Sequence, residues 1–405
     1  MSSQCIKTII ASSLVPLLLP ILAWSKVLTW KDEIIALANG GGVLVADTQN
    51  RPLFAVNADK RLVPASILKI ATAAAALHYL EPTYRFATEF RLSPEQDLYV
   101  VGKGDPYLVS EELELIAHQL KSKGLKKVRH VYLDDRYFQP NLVLHGTERS
   151  INPYDAYNGA LCVNFNTVFV RITQDGKVQS AEPQTPLTDL ARKIALKSGQ
   201  RGEVRINLSE SPQKCLQYAG ELIKAFLEMC SIRVEGKVAK AERDSTDFPC
   251  LYLHHSCRDL EGTSKEMFKY SNNFIANQIF LSMGAARYGP PATVEKSQRV
   301  MADFFGFLGL PRLKVEEGSG LSRRNRITAT QMVAVLGHFR PHRDLLPNEG
   351  RAWFKTGTLS DVKSMAGYLG LDNAQSLSFV IMLNGRHFGY RTRERIFALI
   401  EKSLL

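Results

Sequence analysis

β-Prone runs stand at the two ends of this chain, and a sheet must be built from them. Gly41–Thr48 and Pro52–Asp59 read as a hairpin joined across Gln49-Asn50-Arg51. Ala352–Phe354, Ser364–Leu371 and Leu377–Asn384 read as three strands, the last two joined at Asp372-Asn373. Two strands at one end and three at the other are few for two independent sheets. The economical solution is one antiparallel sheet fed by both ends, flanked by helices, with the middle of the chain inserted as a separate body. The expected fold class is α/β of the α+β kind. A closing amphipathic helix over Tyr390–Leu404, apolar at Ile396, Phe397, Leu399 and Ile400, is expected to pack on that sheet. The insertion is expected to run over 85–247 and to end where Phe248-Pro249-Cys250 marks a boundary, leaving 26–84 plus 248–405 as one domain. Inside it, strands at Ala87–Leu92, Asp97–Val101, Lys127–Asp134 and Phe165–Thr173 alternate with helices at Ser110–Lys123 and Cys215–Cys230. Ala181–Gly202 is polar and is expected at the periphery.

Residues 1–25 have the pattern of an export signal. Lys7 is the only charge before Lys26, Thr8–Trp24 is almost wholly apolar, and Ala23-Trp24-Ser25 offers small residues for cleavage. A retained anchor is the alternative, but Pro16 and Pro20 favour cleavage. The mature protein is therefore expected in the periplasm or cell-wall space, soluble or peripheral. A net charge of +11 suits contact with an anionic envelope surface. No zinc finger, helix-turn-helix or RNA-binding signature supports nucleic acid as a partner. Beyond Cys5 five cysteines remain, an odd number, and Cys250 with Cys257 is the expected local bridge. No cysteine has metal-ligand spacing with a histidine, so no metal is expected, and nothing calls for a cofactor.

Ser66-Ile67-Leu68-Lys69 opens an apolar helical stretch reaching Leu80. Three residues on a helix is just under one turn, so hydroxyl and amine share a face. A serine is a poor nucleophile until a base takes its proton, and a lysine held dry can have the lowered pKa that makes it such a base. Ser271-Asn272-Asn273 precedes a second apolar helix, and Lys355-Thr356-Gly357-Thr358 follows the strand Ala352–Phe354. Serine, lysine and amide groups converging from separate elements suit acyl transfer. Each pattern has a decoy: Ser211-Pro212-Gln213-Lys214, Ser150-Ile151-Asn152 and Lys197-Ser198-Gly199. Context sets the last two aside, since Gly199 reads as a helix C-cap and Ser150 lies in a polar loop before Pro153. Ser271 itself also reads as a possible N-cap.

The set Ser66-x-x-Lys69, Ser271-x-Asn273 and Lys355-Thr356-Gly357 resembles the penicillin-recognising serine enzymes. Longer matches narrow the resemblance: Gly102-Lys103-Gly104-Asp105-Pro106, Asp134-Asp135, Val163–Val168, Met267–Phe274, Gly318-Ser319-Gly320-Leu321-Ser322-Arg323 and Lys355–Leu359. They run in family order, and the chain is similar to the D-alanyl-D-alanine carboxypeptidase/endopeptidase family of class C, low-molecular-mass penicillin-binding proteins (peptidase family S13). The 205 positions from Ser66 to Ser271 match that family's large insertion. The insert is lean, with a small subdomain reduced to about Ser180–Leu208, and only Asp344–Arg351 leads into the strand before Lys355. These departures bear on substrate preference more than on chemistry.

The resemblance implies a transpeptidase-like fold and a role for each residue. Ser66 attacks the peptide carbonyl and Lys69 is its base. Ser271 relays the proton to the leaving nitrogen, and Asn273 holds the substrate amide and helps keep Lys69 in place. Lys355, Thr356, Gly357 and Thr358 belong to the substrate-binding strand, where Lys355, Thr356 and Thr358 bind the terminal carboxylate. The N–H groups of Ser66 and Thr358 form the oxyanion hole. Peptidoglycan stem peptides are the implied substrates and β-lactams covalent inhibitors. A β-lactamase or esterase on the same fold, and a non-catalytic peptidoglycan-binding protein, are the rival readings. Asp105, Asn164 and Asn166 are expected to hold turns, and Arg323 either pairs with an acid or faces solvent.

Overall fold

The computed structural model describes residues 29–404, apart from 149, 209–210, 311–312 and 371–375. The leader expected at 1–25 and the Asp372-Asn373 turn lie outside the described residues. Thr29 opens the first helix, α1 (Trp30–Ala38), through a capping box with Asp32. β1 (Gly42–Ala46) and β2 (Pro52–Val56) follow as the expected antiparallel hairpin. A 3-10 turn, Ala65–Ile67, then runs directly into α2 (Leu68–Leu80). Every α2 residue from Leu68 to Leu77 is buried. Its run of alanines favours helix intrinsically and leaves room for neighbours on all sides, which an encircled helix requires.

The inserted part starts with β3 (Arg85–Leu92), β4 (Leu98–Gly102), α3 (Ser110–Ser122), β5 (Lys127–Val128) and β6 (Val131–Asp134). It continues through β7 (Thr167–Ile172), β8 (Val178–Ser180), α4 (Asp189–Lys197), β9 (Gly202–Asn207), α5 (Pro212–Met229), β10 (Arg233–Val234), β11 (Val238–Lys240) and β12 (Cys250–Asp259). Five of these strands form one sheet in the order β11-β6-β4-β3-β12, while β8-β7-β9 make the small sheet that the polar segment near 180–208 completes. Phe90, Val100, Leu113, Leu133, Tyr218 and Leu222 share a core separate from that of the rest of the chain. The expected limit at Asp247 falls short. β12 lies beyond it, yet pairs antiparallel along β3, with His254 opposite Thr88, so 250–259 belong to the inserted sheet. Phe248-Pro249 is a turn into that strand, with Leu92 donating to the Pro249 carbonyl at 3.3 Å. The bridge expected between Cys250 and Cys257 is also overturned, because both thiols are free and sit on one strand. Seven strand positions separate them by roughly 23 Å, where a disulfide needs Cα atoms within about 7 Å.

From β12 the chain enters α6 (Leu260–Lys269), α7 (Asn273–Tyr288), α8 (Val294–Phe307) and α9 (Ala329–Phe339). It ends in β13 (Asn348–Glu349), β14 (Ala352–Leu359), β15 (Val362–Leu369), β16 (Leu377–Asn384) and α10 (Tyr390–Leu404). The strands from both ends form one sheet, β13-β14-β15-β16-β1-β2, antiparallel at every pairing. Side chains alternate across it as a pleated strand requires. Leu44, Ala46, Ala366, Val380 and Met382 join the core built on α2 and α6–α9. Val43, Val45, Met365, Phe379 and Ile381 meet Ile34 of α1 and Ile396 and Ile400 of α10 on the other face. β14 is longer than Ala352–Phe354, because its pairing with β15 continues residue by residue to Leu359. β13 pairs only with Ala352 and Trp353. The outer edge of β14 beyond them therefore has no strand partner among the described residues, while the turn Ala65–Ile67 packs over the face of β14 and β15, against Gly357 and Ser364.

Candidate active site

Ser66 stands on a turn held from the sheet. The Val63 N–H donates to Asn384 Oδ1 at 2.7 Å, and the Asn384 amide donates back to the Val63 carbonyl at 3.1 Å. The Ser364 hydroxyl donates to the Pro64 carbonyl at 2.6 Å. These contacts hold Ala65 at φ +50°, a left-handed conformation that costs an alanine about 1–3 kcal/mol. Two glycines close in on the same turn. A Cβ on Gly357, in β14, would stand 2.9 Å from both the Pro64 carbonyl and the Ser66 nitrogen. A Cβ on Gly320 (φ +86°) would fall on the Ala65 carbonyl, 2.5 Å from its carbon. The nucleophile candidate is thus clamped between the KTG strand and the loop after Glu317.

Lys69, the second residue of α2, is fully buried. Its Nζ lies 3.0 Å from Ser66 Oγ, 2.7 Å from Asn273 Oδ1 and 2.8 Å from the Ser319 carbonyl oxygen. A neutral amine has two hydrogens and one lone pair. Asn273 Oδ1 and the Ser319 carbonyl can only accept, so they take the two hydrogens, and the lone pair is left for the Ser66 hydroxyl. Burial, and then the charge of Lys355, push the Lys69 pKa well below a lysine's ordinary value, while Glu317 pulls the other way. The amine is consequently disposed to take a proton from Ser66 rather than to hold one permanently.

Asn273 is the first residue of α7, and Asn272, not Ser271, is the N-cap, accepting from the Ile275 N–H at 3.1 Å. The reading of Ser271 as a cap is thereby set aside. Ser271 instead sits at φ +51° between α6 and α7, two residues from the asparagine that touches Lys69. Lys355 lies on β14, 5% exposed, its ammonium donating to the Thr356 carbonyl at 2.9 Å. Burial, and the Arg393 charge behind the sheet, push its pKa down to about 8. Thr356 is half-buried and Thr358 exposed on the same strand. The structure therefore brings Ser66, Lys69 and Asn273 into direct contact, and sets Gly357 against the Ser66 backbone.

The decoys are caps and turns. Ser211 is the N-cap of α5, its side chain accepting from the Lys214 N–H at 3.2 Å. Ser198 ends α4, with Gly199 following at φ +68°. The Ser150 hydroxyl donates to Asp155 Oδ2 at 2.5 Å inside a loop. Asp105 accepts from the Tyr107 N–H at 2.8 Å, as a turn-holding residue does, whereas Asn164 reaches the distant Ser110 N–H at the start of α3 and Asn166 donates to the Tyr157 carbonyl at 2.7 Å. Arg323 pairs with Asp361 and donates to Ser360 Oγ at 2.7 Å.

Sequence reasoning missed the supports. Asn277 accepts from the Gly318 N–H at 2.8 Å, and Thr72 donates to the Gly318 carbonyl at 2.7 Å. Thr72 was visible as the one hydroxyl in an otherwise apolar stretch of α2; Asn277, Ser364 and Asn384 gave no such signal. The Tyr154 carbonyl, 3.4 Å from Asn273 Nδ2, brings the inserted part to the rim of the site.

The chain is 27% identical to a D-alanyl-D-alanine carboxypeptidase of Actinomadura sp. (strain R39), over 85% of this chain and 77% of that one. It is 23% identical to a D-alanyl-D-alanine carboxypeptidase of Haemophilus influenzae, over 87% and 86%. Its fold is that of the crystal structure of penicillin-binding protein 4 from Haemophilus influenzae, with a TM-score of 0.75 at 20% identity, covering 92% of this chain and 98% of that one. A predatory peptidoglycan endopeptidase from Bdellovibrio bacteriovorus shares the fold more distantly, at a TM-score of 0.55 and 14% identity, over 89% and 91%. The model of the D-Ala-D-Ala carboxypeptidase 3 (S13) family matches residues 29–347, and the chain belongs to that family.

Proposed function

We propose that this protein is an exported serine DD-peptidase, removing the terminal D-alanine of peptidoglycan stem peptides and cleaving cross-links through an acyl-enzyme on Ser66. The observation that carries this reading is the buried Lys69 amine, with two pure acceptors on one side and the Ser66 hydroxyl on the other. Ser66 Oγ attacks the carbonyl of the penultimate D-alanine as its proton passes to Lys69. The C–N bond breaks, and the proton moves by way of Ser271 to the departing D-alanine nitrogen. The Ser66 and Thr358 N–H groups hold the oxyanion. Water, deprotonated by Lys69, then releases the acyl group and restores the serine. A β-lactam follows the same first step, but its leaving nitrogen stays tethered in the opened ring, so the adduct persists.

Lys355, Thr356 and Thr358 bind the terminal carboxylate in this reading, and the open edge of β14 lets an extended peptide lie beside Gly357 as an added strand. Residues 26–84 with about 260–405 then form the catalytic body, and 85–259 the inserted one. Export to the wall agrees with the apolar leader of the sequence. Among the described residues no helix is long and apolar enough to cross a membrane.

The test is release of D-alanine from a pentapeptide stem by the purified protein, with cross-linked muropeptides as a second substrate. Carboxylate capture needs charged Lys355. That charge is present below about 8 and is lost as pH rises through that value. KM is therefore expected to climb above pH 8, and Lys355→Ala is expected to raise it about tenfold or more at neutral pH. Unchanged peptides would contradict the peptidase reading, and turnover of a fluorescent penicillin within seconds would favour a β-lactamase.

A further inference from the structure

Glu317 is a fully buried carboxylate that binds no substrate group in the mechanism above. Five donors converge on it. Oε2 accepts from the Ser319 N–H at 2.8 Å and from the Ser319 hydroxyl at 2.5 Å. Oε1 accepts from the Gly320 N–H at 2.8 Å, the Ser322 N–H at 3.2 Å and Asn325 Nδ2 at 2.8 Å. With the N–H groups of the loop gathered inward, its carbonyls are left facing the helix: Gly318 on Thr72 Oγ1 and Ser319 on Lys69 Nζ. Gly320 then lies against Ala65, the residue before the nucleophile. One carboxylate thus fixes both the partner of the base and the backing of the serine.

We propose that Glu317 is the positioning residue of this site, orienting the Ser319 carbonyl on Lys69 and placing a negative charge beneath the loop that holds the amine. The proposal rests on the reading of Ser66 and Lys69 as nucleophile and base. Among the described residues the charged groups acting on Lys69 are Lys355 of β14 and Glu317. α7 contributes the neutral Asn273 there, and the 3-10 turn before α2 the neutral Ser66. The neighbouring Glu316 is engaged elsewhere, with Lys314 at 3.0 Å. Lys355 and burial favour the free amine, and Glu317 opposes them, keeping the proton that Lys69 accepts from being held too weakly.

The sign of the effect separates this role from a purely structural one. A base must be neutral to act, so acylation rises with pH through the Lys69 titration. Removing the negative charge makes protonation harder and moves that acid limb to lower pH. Loss of loop order alone lowers the rate at every pH and leaves the limb where it was.

Acylation by a fluorescent penicillin is measured against pH for the wild type, Glu317→Gln and Glu317→Asp, with folding followed by thermal melting. For Glu317→Gln the expected result is a rate lowered about tenfold or more at neutral pH and an acid limb shifted to lower pH. Glu317→Asp keeps the charge and is expected to leave the limb in place. A folded Glu317→Gln with an unmoved limb overturns the proposal. Should Glu317→Gln fail to fold, Glu317→Asp tests the positioning of the Ser319 carbonyl by itself: a lowered rate with the limb in place supports it, and a wild-type rate or a displaced limb overturns it. Labelling of Ser66→Ala would instead overturn the underlying reading of the site.

Discussion

Lys69→Met is expected to slow acylation by a β-lactam on the order of 10³-fold, the scale on which a positioned general base acts. Methionine has nearly the volume and flexibility of the lysine stem, so it fills the buried channel without overpacking. It cannot take the Ser66 proton, and the hydroxyl 3.0 Å away loses its base. The stability consequence is a balance of opposing terms. Asn273 Oδ1 and the Ser319 carbonyl each lose a donor, at about 1–3 kcal/mol apiece. Relief from burying an amine offsets part of that. The variant should therefore fold and melt slightly below the wild type while labelling on a timescale of hours. Stopped-flow labelling beside a thermal melt checks both halves. A folded Lys69→Met that acylates at the wild-type rate would remove Lys69 from the mechanism.

Gly320→Ala is expected to have the second-largest effect, although Gly320 takes no step in the mechanism. Its φ of +86° suits glycine, and an added Cβ would fall on the Ala65 carbonyl. The left-handed backbone alone costs an alanine about 1–2 kcal/mol, and relief of the overlap adds to it. Relief requires moving either the loop or the turn. The loop carries the carbonyl that holds Lys69, and the turn carries Ser66, so either movement separates nucleophile from base. A displacement near 1 Å can cost about 10²-fold in rate. Gly199→Ala is the matched control. Gly199 has φ +68° and no atom within 4 Å of its added Cβ. It should lose about 1–2 kcal/mol of stability from backbone strain and keep the full acylation rate. Equal loss of activity in the two variants would show that the clamp on Ala65 is not what positions the serine.

The single sheet fed by both ends was legible in the sequence because Gly41–Thr48, Ser364–Leu371 and Leu377–Asn384 are β-prone and bounded by turn residues. The limit of the insertion was not. Phe248-Pro249 has the local chemistry of a boundary, and only the distant pairing of β12 with β3 overrides it. β14 was cut short at Phe354 for a related reason: Lys355-Thr356-Gly357-Thr358 lacks apolar alternation, yet its backbone stays in register with β15. The contact of Lys69 with Ser66 was readable from helical spacing, and that of Asn273 only through the family resemblance. The carboxylate of Glu317 was invisible, since a charged residue beside a Gly-Ser-Gly run reads as an exposed loop. Burial of a charge becomes acceptable only when several donors meet it, and those donors come from folding of the loop back on itself.

The central claim is that Ser66 is the nucleophile, and intact-mass spectrometry with a β-lactam tests it most directly. Wild-type protein should gain the mass of one inhibitor, with peptide mapping placing it on Ser66, and Ser66→Ala should gain none. An adduct on the folded Ser66→Ala protein, or one mapped to Ser211 or Ser150 in the wild type, would contradict the account.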